Sequence, residues 1–296
     1  MESVFKLPSF AKINLQLRIL GKRADGFHEL FTVFQTVSMR DFLTFRANDR
    51  LTMTCNRRYM PTDGRNLVIK AAEEIRRRFN VTAGAAVHLE KRIPSPGGLG
   101  GGSSNAAVAL VGFARLWEID IDPAELNEIA ADLGADVPFF LDGGTAIGTG
   151  SGVAIELIDD FEHKFILIVT PKVRVSTRAA FARLGAATLT KEELDRILPV
   201  CRSDAKSLDL HRPALINDFE ASVFAAFPEV RRVKETLLDL GAVDAAMSGS
   251  GASVFAIFDN LETRQAAMKA LDHESTWRKF AVATVSRSEY REALMR

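Results

Sequence analysis

The sequence of 296 residues predicts an α+β chain of two domains, residues 1–159 and 160–296. Three observations carry that expectation. Strand-like and helix-like segments are mixed without strict β-α-β alternation. The length suffices for two ordinary domains, each with its own core. A strongly apolar strand at residues 165–170, closed by Pro171, opens a second run of elements after a stretch punctuated by Gly143, Gly144, Gly148, Gly150 and Gly152.

Residues 13–20 place Ile13, Leu15, Leu17 and Ile19 on one face and Asn14, Gln16 and Arg18 on the other, the alternation of a half-buried strand. Residues 23–26 read as a turn, followed by strands at 30–39, 42–46 and 51–55. Asn66 is placed to cap a helix whose apolar residues Leu67, Val68, Ala71, Ala72, Ile75 and Phe79 recur at helical spacing. A strand through Val87 and Leu89 leads into a glycine-rich loop, a buried helix at 106–117 and an amphipathic helix at 123–133. The second unit is expected to hold helices near 178–183, 191–198, 215–226, 229–240 and 261–271. Its strands are expected at 165–170, 253–258 and 280–286.

Lysine plus arginine equal aspartate plus glutamate, 38 each. A neutral balance supports neither a nucleic-acid nor an anionic-membrane partner. No apolar run approaches the ~20 residues of a membrane span, and residues 1–8 contain no leader-like apolar stretch. Cys55 and Cys201 make no disulfide framework or metal-type spacing, as expected of reduced thiols in a cytoplasmic protein. His88, His163, His211 and His273 have no ligand-like spacing either.

The most informative segment is residues 94–105, five of which are glycine. Glycines let backbone N–H groups converge without a Cβ in the way. A helix starting just behind adds unpaired N–H groups and the positive end of its dipole. Together these make a phosphate site. A Walker loop is excluded, because no lysine follows the glycines. A dinucleotide fingerprint begun at Gly98 fails at Ser103. A flexible linker would not run straight into an apolar helix. Position alone leaves two other residues open. Asp136, in a Gly-Ala-Asp-Val-Pro break, is either a turn cap or a carboxylate aimed into a cleft. Lys12 is either a solvated strand-end lysine or a partly buried ammonium in need of a carboxylate partner.

Residues 94–107 resemble the second motif of the GHMP small-molecule kinases. Residues 10–15 resemble that family's N-terminal motif, and residues 246–255 its C-terminal glycine motif. Residues 23–28 and 133–138 extend the likeness in register along the chain. The resemblance implies a two-domain GHMP-kinase-like fold with the active site in the cleft between the domains. It implies phosphoryl transfer from ATP, with Mg²⁺, to an alcohol of a small molecule, cytidine-diphosphate methylerythritol. Homoserine or mevalonate as acceptor, or a non-catalytic binding protein of the same fold, are the alternatives. A monomer or weak homodimer is expected.

Under the resemblance Asp136 is the base and Lys12 its cationic partner. Pro94, Gly97, Gly98, Leu99, Gly100, Gly101, Gly102, Ser103 and Ser104 would wrap the ATP phosphates, with Asn66 and Lys91 near the adenine. Ser103 or Ser104 would be the hydroxyl nearest the metal, whose protein ligand the sequence leaves open. Asn14, Phe27, His28, Thr177, Phe181, Gly249, Ser250 and Gly251 would contact the acceptor, with Phe27 and Phe181 stacking on the base. Gly249 to Gly251 would supply backbone donors to its diphosphate. Three departures from the family pattern stand out. Pro96 replaces a glycine, Phe27 a tyrosine and Phe10 a proline.

Overall fold

The computed structural model of the chain describes residues 4–211 and 213–295. Residues 1–3 of the segment read for a leader lie outside them.

Strand β1 (Phe5–Lys22) and strand β2 (His28–Asn48) form one long antiparallel hairpin, paired from Phe5 opposite Phe45 to Lys22 opposite His28 with register shifts after Phe10, Asn14 and Ile19. The strands expected at 30–39 and 42–46 are thus a single strand. Nothing at Arg40 or Asp41 forbids extended backbone, and the Asp41 carboxylate is satisfied inside the protein. Next come β3 (Thr52–Cys55), helix α1 (Leu67–Phe79) and β4 (Gly84–Glu90). After them follow α2 (Gly101–Leu116), α3 (Pro123–Leu133), α4 (Phe139–Asp142), β5 (Thr145–Gly150) and β6 (Ala154–Leu157). The free edge of β2 is long enough for two partners. β4 pairs with it at residues 42–48 and β5 at residues 30–35. Helices α1, α2 and α3 and this sheet enclose one apolar core, centred on Phe45, Ile75, Leu110 and Phe113.

The second half contains β7 (Ile166–Thr170), α5 (Thr177–Ala182), α6 (Lys191–Lys206), β8 (Ile216–Asn217), α7 (Glu220–Ala226) and α8 (Pro228–Asp239). It ends with β9 (Asp244–Met247), β10 (Val254–Ile257), α9 (Leu261–Ala270), β11 (Arg278–Val282) and α10 (Arg287–Met295). Its antiparallel sheet has the order β11-β7-β10-β9. The helix expected at 215–226 is split, because β8 leaves to pair in parallel with β1. α6 outruns its expected end at 198, anchored by a Thr190–Glu193 capping box. The strand expected at 280–286 is β11, which starts two residues earlier and ends at Val282; α10 follows, and its Tyr290 is fully buried against Phe10 and donates its hydroxyl to the Phe140 carbonyl at 2.6 Å. Burial pushes the Tyr290 phenol above its ordinary value.

The chain passes from the first sheet to the second between Leu157 and Ile166. We keep 1–159 and 160–296 as our proposed domains, with β8 and α10 among the segments of the second that pack on the first. This traffic explains why β1 is not half-buried. Ile13 and Leu15 face an apolar core shared with Ile168 and Phe255 of the second sheet. Lys12 and Asn14, on the opposite face, are buried too.

Candidate active site

The period-2 geometry of β1 sends Lys12 and Asn14 to the same side, into a cavity of about 190 Å³ between the two halves. The phosphate loop, the Asp136 turn, α5 and the turn at residues 248–253 close around it. Lys12 Nζ lies 3.4 Å from Asp136 Oδ2 and donates to Asn14 Oδ1 at 2.7 Å. The lysine side chain is 3% exposed and the aspartate 33%. A buried ammonium thus faces a carboxylate that the cavity can reach. Among the described residues Asp136 caps no turn, since Gly134 accepts from Val137 N–H through its own carbonyl. The two readings left open by position resolve together, because each residue is the other's ion partner.

Asn14 is a joint. Its Oδ1 also accepts from Gly249 N–H at 2.8 Å, and its Nδ2 donates to Thr32 Oγ1 at 2.8 Å. Thr32 in turn donates to the Gln16 carbonyl. The threonine therefore fixes which way the amide points, and so where Lys12 is held. Thr32 bears on the site without belonging to any motif. Its alternation with Leu30 and Phe34 on β2 is the only sequence signal.

The phosphate loop is folded by its glycines. Gly98 and Gly100 have φ of +72° and +68°. A Cβ on Gly98 would lie 1.9 Å from the Ser248 carbonyl oxygen, so no other residue fits. Ser253 N–H donates to the Gly97 carbonyl and Ser248 Oγ to the Gly98 carbonyl. The two glycine motifs thus back onto each other. Helix α2 starts at Gly101, five residues before the expected start at 106, with Gly100 as its N-cap. The first intrahelical bond is Ser104 N–H to the Gly100 carbonyl. The amides of Gly101, Gly102 and Ser103 therefore stand at the positive end of the helix, with open space above Gly102.

Four of the expected contacts involve groups already engaged within the protein. Ser104 is fully buried and accepts from Ser9 Oγ at 2.7 Å, so Ser103 alone keeps a hydroxyl at the surface of that turn. The Lys91 side chain is 1% exposed and ion-paired with Asp41, so its ammonium faces the interior. Burial pushes its ammonium below the ordinary lysine value, while Asp41 acts in the opposite direction. Asn66 caps α1, accepting from Val68 N–H and donating to the Pro61 carbonyl, so both ends of its amide are engaged. In the turn at 248–253, Gly249 N–H is held by Asn14 and Gly251 N–H by the Ser248 carbonyl. Gly249 and Gly251 line the cavity without a free amide to offer it, while Ser250 Oγ meets Thr177 Oγ1 at 2.8 Å.

At the far end of the cavity Phe181 packs edge-on against Phe219, and the His28 ring lies 5.1 Å from it. Phe27 is 66% exposed, and neither it nor His28 lines the cavity. Pro96 borders both this cavity and a second hollow of about 580 Å³ on the other side of the loop. Pro94, Lys172, Arg174 and Arg278 line that hollow, and none of its three cations has a carboxylate partner among the described residues. The described residues contain no group of three His, Cys, Asp or Glu side chains able to cage a metal. No helix among them is long and apolar enough to cross a membrane.

A glycine loop opening a helix, and an ion-paired lysine and aspartate facing it across a cleft, define a small-molecule kinase. Residues 66–144 match the family described as GHMP kinases N terminal domain and residues 201–275 that described as GHMP kinases C terminal. The chain is 43% identical over 268 residues to the 4-diphosphocytidyl-2-C-methyl-D-erythritol kinase of Chlorobium phaeobacteroides strain BS1, covering 88% of this chain and 91% of that one. It is 36% identical to the protein of the same name from Syntrophus aciditrophicus, covering 95% and 100%. A crystal structure of 4-(cytidine 5'-diphospho)-2C-methyl-D-erythritol kinase superposes with a TM-score of 0.75 at 30% identity, over 95% of this chain and 99% of that one. A homoserine kinase from Cytophaga hutchinsonii shares the fold, with a TM-score of 0.71 at 21% identity, over 96% of each chain. The chain belongs to the GHMP kinase family and is an ATP-dependent small-molecule kinase.

Proposed function

We propose that the chain transfers the γ-phosphoryl group of ATP to the 2-hydroxyl of 4-diphosphocytidyl-2-C-methyl-D-erythritol, a step of non-mevalonate isoprenoid precursor synthesis. The observation that carries the reading is the Lys12–Asp136 pair at 3.4 Å, set between the phosphate loop and the aromatic end of one cavity. In this reading Asp136 accepts the hydroxyl proton as the oxygen attacks the γ-phosphorus. The bond to the bridging β–γ oxygen breaks, and ADP leaves. Lys12 keeps Asp136 ionised and stabilises negative charge on the attacking oxygen. Phosphates lie over Gly97 to Ser103, held by the first amides of α2.

Mg²⁺ supplies charge neutralisation when bound. The residues present fit an ion carried in by the nucleotide, with the Ser103 hydroxyl beside it, rather than one caged by the protein. Phe181 gives the cytosine a face to stack on, with His28 at its edge and Phe27 closing over it from its exposed position. The chain would act in the cytoplasm as a monomer or weak homodimer.

The test is ADP release by the purified protein with ATP, Mg²⁺ and the cytidylyl methylerythritol, with homoserine and mevalonate as control acceptors. Turnover confined to the cytidylyl substrate is expected. Turnover of either control in its place would overturn the acceptor assignment.

A further inference from the structure

Beneath the phosphate loop lies a polar cluster that the transfer step itself does not use. Asp41, on β2, is fully buried. Its Oδ1 accepts from Arg92 N–H at 2.6 Å and Ile93 N–H at 2.8 Å. Its Oδ2 accepts from the Lys91 ammonium and from Asn105 Nδ2 at 3.0 Å. Asn105 Nδ2 also reaches Ser9 Oγ at 2.8 Å, and Ser9 donates to Ser104 Oγ at 2.7 Å. Residues 91–93 enter the phosphate loop, and residues 104–105 leave it into α2. One carboxylate therefore ties both ends of the loop to the same point on the sheet.

The loop has no room to settle elsewhere above this cluster. A Cβ on Gly101 would lie 2.7 Å from Lys91 Nζ, so the first turn of α2 rests directly on the ammonium. Charge placed there without Asp41 would repel the positive end of the helix. The carboxylate offsets both and leaves the outward amides of Gly101, Gly102 and Ser103 for a ligand.

We propose that Asp41, with Lys91, is the positioning residue of the phosphate loop: it sets the spacing of the loop's two ends and thereby the affinity for the nucleotide's phosphates, without touching them. Preorganised amides bind without the cost of ordering the loop on each encounter. The proposal rests on the kinase reading only for the nucleotide, not for the acceptor alcohol.

The experiment measures Mg·ADP binding by calorimetry, and then KM for ATP and for the acceptor separately. The variants are Asp41→Asn and the charge-free double variant Asp41→Asn/Lys91→Met, with circular dichroism reporting the fold. The double variant removes both charges together, so no unpaired charge is left buried. It is expected to fold, to bind Mg·ADP about tenfold more weakly and to raise the KM for ATP by a similar factor. The KM for the acceptor should move less than about threefold. Asp41→Glu, which keeps the charge, should recover part of the ADP affinity. Unchanged ADP affinity in a folded double variant would overturn the proposal. Loss of the fold in the double variant would also overturn it, assigning the pair to stability alone. Because ADP binding needs no acceptor, a wrong acceptor assignment leaves this result intact.

Discussion

The two ends of the cleft are built in opposite ways. At the phosphate end, Lys12, Asn14, Thr32, Asp41, Lys91, Ser104 and Asn105 are all buried and bonded to one another or to backbone. At the aromatic end, Phe27 is exposed, His28 leans on Phe181, and α5 is a helix of only six residues. Phosphoryl transfer needs donors fixed before the reaction, since each one reorganised during it costs rate. Base recognition needs only a face to stack on, and a ring can close over the ligand as it arrives. The first end is thus held together within the protein, and the second is left more open.

Changes at the phosphate end should act on rate or nucleotide affinity and changes at the aromatic end on acceptor affinity, and substitutions can break that contrast. Asp136→Asn removes the proposed base. It should lower kcat by roughly 10²–10⁴-fold, with little change in either KM, measured by steady-state ADP release. Gly98→Ala must place a methyl against the Ser248 carbonyl in a left-handed backbone that alone costs roughly 1–2 kcal/mol. Mg·ADP affinity should fall about 100-fold by calorimetry, and an unchanged value would show that the loop can move away from residues 248–253. Phe181→Ala should raise the KM for the cytidylyl acceptor by roughly 10- to 100-fold, the worth of one stacked base, and leave the KM for ATP alone. A fall in kcat instead would erase the contrast. Thr32→Val frees the Asn14 amide to turn and should lower kcat about fivefold, the size of one net hydrogen bond.

The smallest effect is a control remote from both ends. Glu74, hydrogen-bonded by Arg77 and Arg78, is held down to about 2. Its folded value lies below its unfolded value, so its stabilisation is present above about pH 4.5 and is lost as pH falls toward 2. For a partly exposed pair this amounts to less than about 1 kcal/mol. Glu74→Gln should therefore reduce Tm at pH 6 slightly, flatten its decline between pH 4.5 and 2, and leave kinetics untouched.

Much of the phosphate end is legible in the sequence, because its signals are local. Glycines at 98 and 100 announce left-handed backbone, and the alternation of residues 13–20 puts Lys12 and Asn14 on one face. The start of α2 is misplaced, because glycine's poor helix propensity at 101 and 102 argues against helix there. Packing overrides propensity at this point, since only glycine can lie over Lys91. The inward direction of the Lys91 side chain is not legible in the sequence. Its partner Asp41 sits 50 residues away and has no motif.

The sequence by itself determined the class of loop and the order of the elements, since each depends on spacing along the chain or on a single residue's allowed backbone. Tertiary structure alone decided which polar groups face the ligand and which face each other. Ser9 meets Ser104 across 95 residues and Asn14 meets Gly249 across 235. A buried polar atom must find some partner, but its identity is set by where the sheets and helices come to rest.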